Sequence, residues 1–330
     1  MAKRAGLLGG GVIGGGWAAR FVLNGWDVRL FDPDPEAERK VQEVLANARA
    51  AYSSLVRVPL PAEGSLTVVR DIADAVADAD FIQESAPERL ELKQSLLASA
   101  DAAARPDVII GTSTSGLLPT QLSANMQHPE RLVVGHPFNP VYLLPLVEVC
   151  PGERTAPDAV ERAAAVYASL GMKPLKLRKE VDGFVADRLL EALWREALWL
   201  VNDGVATTEE VDDAIRYGAG LRWASMGTML VYRIAGGEGG MRHFMSQFGP
   251  ALQWPWTHLM DVPELTDELL DTIAAQSDAQ ANGMTIRELE RLRDRCLVGV
   301  MHALSDVDYA AGAVLNGYEQ QLTKGALPTS

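Results

Sequence analysis

The stretch of this chain best suited to proton transfer is Leu132-Val133-Val134-Gly135-His136-Pro137-Phe138-Asn139-Pro140, with Glu148 twelve residues after the histidine in Leu146-Val147-Glu148-Val149. His136 leaves an apolar strand for a loop that two prolines stiffen, which fixes its relation to Asn139. Glu148 stands inside an apolar run, where an unpaired carboxylate is costly, so it needs a partner. A loop that folds back would supply His136. A histidine oriented by a carboxylate titrates near neutral pH and can take a hydroxyl proton. A lone histidine is more often structural, and on these residues alone both readings stand. His128, His243, His258 and His302 have no such setting and read as structural or surface residues.

A second group points to a dinucleotide. Gly9-Gly10-Gly11-Val12-Ile13-Gly14 follows a short apolar strand and opens a helix. Asp32 ends the next strand, 23 residues after Gly9. Glycine-rich turns are common, but this context is that of a dinucleotide fingerprint. Gly9 permits the tight turn, Gly11 lets the backbone approach a pyrophosphate, and Gly14 lets helix and strand pack closely. The first helical residues, Val12 and Ile13, present unbonded N–H groups and the positive end of the helix dipole. Asp32 can accept from ribose hydroxyls and would repel a 2′-phosphate, so the expected cofactor is NAD; Arg29 and Arg39 stand nearby. The alternative is a glycine-rich turn with Asp32 capping a helix before Pro33. A base beside a hydride acceptor would oxidise a secondary alcohol.

These groups need a scaffold. Candidate strands are 5–8, 28–31, 66–69, 81–83, 108–111, 132–134, 146–149 and 174–177, alternating with helices at 14–23, 35–52, 88–103 and 157–170. Strand and helix in alternation imply βαβ units and a mostly parallel sheet. After Asp182 the strands stop, and 184–201, 208–217, 224–234, 265–281 and 286–303 read as helices. The expected architecture is an α/β Rossmann-type domain over 1–181, followed by an all-α domain over 182–330. The final 25 or so residues carry no element signal and are expected to be partly disordered.

Composition restricts the partners. The 330 residues are 48% hydrophobic, enough for two cores. A net charge of −14 argues against nucleic acid or an anionic membrane. No apolar run reaches 18 residues, and the glycine-rich start is a poor signal peptide. Cys150 and Cys296 belong to no Cys/His cluster, so no metal site is expected, and they read as reduced thiols of a cytoplasmic protein.

The glycine fingerprint, Thr112-Ser113-Thr114-Ser115, the His136-to-Pro140 run with Glu148, and Gly183-Phe184-Val185 together resemble the 3-hydroxyacyl-CoA dehydrogenase family over residues 5 to about 235. The resemblance implies His136 as general base, Glu148 as the group holding its tautomer, and Ser115 and Asn139 on the substrate oxygen. It places Glu88 and Lys93 near the cofactor.

The C-terminal half, through Gly220-Leu221-Arg222-Trp223-Ala224, Trp254-Pro255-Trp256-Thr257 and 287–294, resembles the branch of that family that acts on free hydroxy acids, and within it the members that use L-carnitine. The acyl-CoA enzymes have asparagine at the position of Asp187. Asp187, Glu191 and Trp194 share a helix face. A quaternary ammonium is held by aromatic faces and carboxylates, so Asp187, Trp194 and Trp223 are candidates for a substrate cation. Packing in helix cores is the alternative for the tryptophans, and an arginine ion pair is the alternative for Asp187. Arg188, Arg222, Arg233 and Lys93 are candidates for the substrate carboxylate. L-gulonate and a 3-hydroxyacyl-CoA are alternative substrates, although Arg39, Lys40, Arg49 and Arg57 form no dense patch for CoA. A structural NAD-binding protein is the non-enzyme alternative. Broad apolar faces on 184–201 and 286–303, with the resemblance, imply a homodimer.

Overall fold

The computed structural model describes residues 3–224, 227–236, 238, 240–248, 255–258, 264, 266–280 and 282–326. They fall into two compact units, Met1–Ala186 with Leu297–Ser330, and Asp187–Cys296. The sequence boundary at 181/182 lies five residues before the first division. The chain also returns to the first unit near its end.

The first unit opens with β1 (Arg4–Leu8), α1 (Val12–Leu23), β2 (Asp27–Phe31), α2 (Ala37–Leu55), β3 (Leu66–Val69), α3 (Ile72–Val76), β4 (Phe81–Glu84) and α4 (Leu90–Ala103). It continues through β5 (Ile110–Thr112), α5 (Pro119–Leu122), β6 (Leu132–Pro137), β7 (Leu146–Pro151), α6 (Pro157–Ser169) and β8 (Lys173–Lys176). The strand order is β3-β2-β1-β4-β5-β6-β7-β8. β1 to β6 run parallel, β7 runs antiparallel to β6, and β8 is parallel to β7. The order reverses between β1 and β4, where a doubly wound sheet opens a crevice at the strands' carboxyl ends.

Adjacent strand residues serve opposite faces. Leu7, Phe81 and Val133 join one core cluster with Trp17, Phe21, Val41 and Tyr167; Leu8, Ile82 and Leu132 join a second with Ala75, Leu97 and Leu122. α1 is buried almost all round, from Gly14 to Leu23, as befits a helix with no polar face. α2 buries Ala37, Val41, Leu45, Ala48, Tyr52 and Leu55, a spacing of three and four residues, and turns its charges outward.

The second unit is helical: most of α7 (Ala186–Asn202), then α8 (Thr208–Ala214), a π-turn at Ile215–Ala219, α9 (Gly220–Trp223), α10 (Thr228–Ala235), α11 (Gly240–Phe248), α12 (Asp267–Gln280) and the first half of α13 (Ile286–Ser305). Thr207 and Glu210 form a reciprocal capping box that starts α8. The helix expected over 224–234 begins later, at Thr228, because Gly227 is extended. Trp254, Leu265 and Ala281 lie outside the described residues. No described helix is long and apolar enough to cross a membrane.

Within the C-terminal segment expected to be partly disordered, Ala310–Ala326 form α14, which packs on the first unit, and 327–330 lie outside the described residues. Leu315 and Tyr318 enter its core, and the Tyr318 hydroxyl donates to Asn24 Oδ1 at 2.8 Å. His302 Nε2 bonds the Leu55 carbonyl at 2.8 Å, and Glu319 accepts from the Arg57 backbone N–H at 2.6 Å. Three glycines, Gly312, Gly317 and Gly325, weaken the helical signal of this segment. Tyr318→Ala is expected to lower stability by about 3–5 kcal/mol, and Tyr318→Phe by about 1 kcal/mol. Urea unfolding curves decide: an alanine variant as stable as the parent would show that α14 does not hold the first unit together.

Candidate active site

The groups picked out by sequence lie at the carboxyl ends of the parallel strands. Gly9 follows β1, Asp32 follows β2, Ser113 to Ser115 follow β5, and His136 is near the end of β6; Ser85, which the sequence reading did not single out, follows β4. β6 continues through Gly135, His136 and Pro137, three residues beyond its pairing with β5. The prolines therefore do not set His136 in a loop. Antiparallel pairing with β7 holds it, and the register places His136 directly opposite Glu148. Cross-strand partners share one face, so the two side chains must meet.

His136 Nδ1 and Glu148 Oε2 are 2.9 Å apart. Glu148 is 0% exposed and His136 6%. The other carboxylate oxygen, Oε1, accepts backbone N–H groups from Val185 and Ala186, both at 3.0 Å. Burial pushes the Glu148 carboxyl up, but the His136 bond and the two backbone N–H groups outweigh it and hold it below its ordinary value. An ionised Glu148 fixes the proton of a neutral His136 on Nδ1 and makes Nε2 the basic nitrogen. Phe138 and Phe184 flank the imidazole, with ring centroids 5.1 and 5.8 Å away. Burial first, then Glu180 and Glu148, push the nearby Cys150 thiol up to about 12, which disfavours its thiolate.

The loop after His136 docks on α1. Arg20, itself buried, donates to the carbonyls of Val141 (2.7 Å), Leu170 (2.8 Å) and Leu144 (3.2 Å). Asn139 is exposed on this loop, and Ser115 is half-buried beyond β5. Neither side chain has a hydrogen-bond partner among the described residues.

Glu88 braces the segment that carries Ser115. It accepts from the Thr114 hydroxyl and from the backbone N–H groups of Ser115 (3.0 Å) and Gly116 (3.2 Å). Burial opposes ionisation of Glu88, but these donors and Lys93 hold its carboxyl below the ordinary value. Lys93 is 1% exposed. Its ammonium donates to Glu84 (2.9 and 3.1 Å) and to the Ala86 carbonyl (3.0 Å), and lies 3.4 Å from Glu88. Those partners use its donors, which leaves Lys93 ill-placed for a substrate carboxylate. Sequence reasoning missed Glu84; a carboxylate ending the apolar strand Phe81–Glu84 was the available signal.

The glycine loop borders a cavity of about 590 Å³, lined by Gly9, Gly11, Val12, Ile13, Phe31, Asp32, Ser85 and their neighbours. Gly9 has φ +101°, a left-handed conformation that favours glycine. A Cβ on Gly14 would lie 1.9 Å from the Gly9 carbonyl oxygen, while one on Gly11 would meet nothing within 4 Å. The open side of Gly11 and the N–H groups starting α1 suit a pyrophosphate. Each Asp32 oxygen accepts one backbone N–H, from Gly10 (2.6 Å) and Asp34 (2.8 Å), and has lone pairs left for ribose hydroxyls. Arg29 is taken up by the Asp74 carbonyl and Asp78, and Arg39 by Glu36 and Glu43, so neither is committed to a 2′-phosphate. The residues fit NAD.

Asp187, Trp194 and Trp223 belong to the second unit. Trp194 is 56% exposed and lines a groove of about 470 Å³ with Leu190, Glu191, Leu198, Val211 and Asp212. Trp223 closes α9 and is 40% exposed.

A family profile described as the 3-hydroxyacyl-CoA dehydrogenase NAD binding domain matches residues 4–181, and one for the C-terminal domain of the same enzymes matches 183–268. An L-carnitine dehydrogenase of Mesorhizobium japonicum is 62% identical over 327 residues, covering 98% of this chain and 90% of that protein. An L-carnitine dehydrogenase/betainyl-CoA thioesterase of Ruegeria pomeroyi is 59% identical over 98% of this chain, which spans 66% of that longer protein. Among solved structures, an NAD-dependent 5-formyl-3-hydroxy-2-methylpyridine 4-carboxylic acid 5-dehydrogenase superposes with a TM-score of 0.77 at 30% identity, covering 92% of this chain and 99% of that one.

The lowered Glu148 carboxyl makes a pH-dependent contribution to stability. It is complete above the ordinary value of 4.5 and is lost as pH falls through the lowered native value. The parent is therefore expected to exceed Glu148→Gln by about 2 kcal/mol near pH 7, and by progressively less below pH 4.5. Urea unfolding at stepped pH measures this, and a gap unchanged down to pH 3 would remove Glu148 as the charged partner.

Proposed function

The chain belongs to the 3-hydroxyacyl-CoA dehydrogenase family, and from that premise we propose that it oxidises the secondary alcohol of L-carnitine to 3-dehydrocarnitine with NAD. The observation that carries the chemistry is the buried His136–Glu148 pair at the carboxyl edge of the sheet. The carnitine dehydrogenases that match nearly the whole chain support the substrate.

Bound NAD, held by the glycine loop and Asp32, supplies the hydride acceptor. His136 Nε2 takes the hydroxyl proton, and Glu148 stabilises the imidazolium that forms. The Ser115 hydroxyl and Asn139 amide donate to the substrate oxygen as its charge changes. Glu88 holds the Ser115 segment in place, and Lys93 acts through Glu84 and Glu88. Asp187, Trp194 and Trp223 receive the trimethylammonium in this reading, since a group without N–H donors is held by ring faces and carboxylates.

A free acid fits better than a CoA thioester. Arg39, Lys40, Arg49 and Arg57, the basic residues available to CoA phosphates, are paired with Glu36 and Glu43, Asp34, Glu63 and Asp306. We also propose division of labour between an NAD-binding part at 1–181 and a helical part at 182–330 that contacts substrate and a second copy. The exposed Leu189, Leu190, Leu193 and Trp194 of α7 support a homodimer. The free thiols Cys150 and Cys296 suit the cytoplasm.

NADH formation with L-carnitine, D-carnitine, L-gulonate and 3-hydroxybutyryl-CoA tests the substrate, and turnover is expected with L-carnitine alone. Turnover of only the gulonate or the thioester would discard the cation reading and keep the catalytic pair. His136→Gln is expected to lower kcat by about 10²–10⁴-fold with NAD affinity retained. Near-full turnover by that variant would end the assignment of His136 as base.

A further inference from the structure

A buried polar network behind the glycine loop sets the direction of a hydroxyl at the cofactor cavity. Ser113 Oγ is its hub, with Gln83 Nε2 at 2.8 Å, Ser85 Oγ at 2.9 Å and Trp17 Nε1 at 3.0 Å. The Trp17 indole N–H only donates. The Gln83 amide has one workable orientation: its nitrogen faces the Gly135 carbonyl oxygen at 3.2 Å, and its oxygen accepts from the Tyr167 hydroxyl at 2.7 Å. Tyr167 is fully buried, and a Cβ on Gly135 would come within 1.8 Å of its hydroxyl oxygen, so the arrangement is packed in place.

Two obligate donors therefore fill both lone pairs of Ser113 Oγ, and its own proton must go to Ser85. Ser85 then acts as acceptor toward the protein and keeps its own O–H to give away. Among the described residues Ser113 is the only hydrogen-bond partner of the Ser85 side chain. Ser85 is half-buried, lines the 590 Å³ cavity, and has its Cβ 3.4 Å from where a Cβ on Gly14 would sit.

We infer that Ser85 is a cofactor-binding residue whose hydroxyl donates to an oxygen of the pyrophosphate–ribose part of NAD, with its polarity fixed by Trp17, Gln83 and Ser113. The inference rests on the assignment of NAD to this cavity and not on the identity of the alcohol. Ser85 stands against the glycine loop, with its backbone carbonyl beside Gly9 and its Cβ beside Gly14, while Asp32 lines the same cavity and suits the other ribose. The loop therefore contributes a directed side-chain donor in addition to its backbone N–H groups.

Calorimetric titration of the purified chain with NAD, ADP-ribose and AMP tests this without catalysis. Ser85→Ala is expected to raise Kd for NAD and for ADP-ribose about tenfold and to leave Kd for AMP unchanged, a factor in keeping with loss of one hydrogen bond to a charged or ribose oxygen. Ser85→Cys, with a weaker donor of similar size, should give an intermediate loss and takes over the test if the alanine variant does not fold. A folded Ala or Cys variant that binds NAD with the parent Kd would overturn the inference. So would an equal loss for AMP, which would signal general damage to the cavity. Failure of the parent itself to bind NAD would instead remove the cofactor assignment beneath it.

Discussion

A carboxylate with no access to water, Glu148, is the constraint on which the carboxyl edge of the sheet depends. Left unpaired it would cost several kcal/mol, so the chain must bring donors to both oxygens. One is met by His136 from the adjacent strand, the other by the backbone N–H groups of Val185 and Ala186 at the start of α7. The same three bonds hold the imidazole in one tautomer, tie the β6–β7 pair together, and fix where the chain leaves the first unit.

The antiparallel turn of β7 makes this possible. Without β7, the last three residues of β6, which extend beyond its pairing with β5, would have no strand partner. By folding straight back, the chain lays Glu148 opposite His136 in register, and Arg20 clasps the intervening loop by its carbonyls. The α1 helix and the β6–β7 hairpin are thus one packed body. The Trp17–Ser113–Gln83 network joins them a second time, since Gln83 bonds the carbonyl of Gly135, the residue before His136. Such networks fix geometry when every member is satisfied.

A different logic governs the loops after β4 and β5. Lys93, Glu84 and Glu88 form a largely buried ionic cluster whose outer carboxylate gathers the Thr114 hydroxyl and the Ser115 and Gly116 N–H groups. Charge here serves position. The ammonium is spent on the protein, and what it organises is the segment bearing the Ser115 hydroxyl.

The sequence by itself determined the alternation of strand and helix, the eight strand positions, the glycine turn with its acidic partner, and the need of Glu148 for a donor. All of these are local: periodicity, turn chemistry and the cost of a charge in an apolar run can be read within ten or twenty residues. Only the tertiary structure decided the rest. It carried β6 through His136, because the pairing partner lies beyond a turn. It made Ala310–Ala326 a packed helix, because Tyr318 finds Asn24 almost three hundred residues earlier. It turned Lys93 inward and gave Ser85 its direction, because hydrogen bonds between side chains on separate elements leave no trace in spacing. Local propensity is written along the chain, whereas the satisfaction of buried polar groups depends on which distant segments the fold brings within 3 Å.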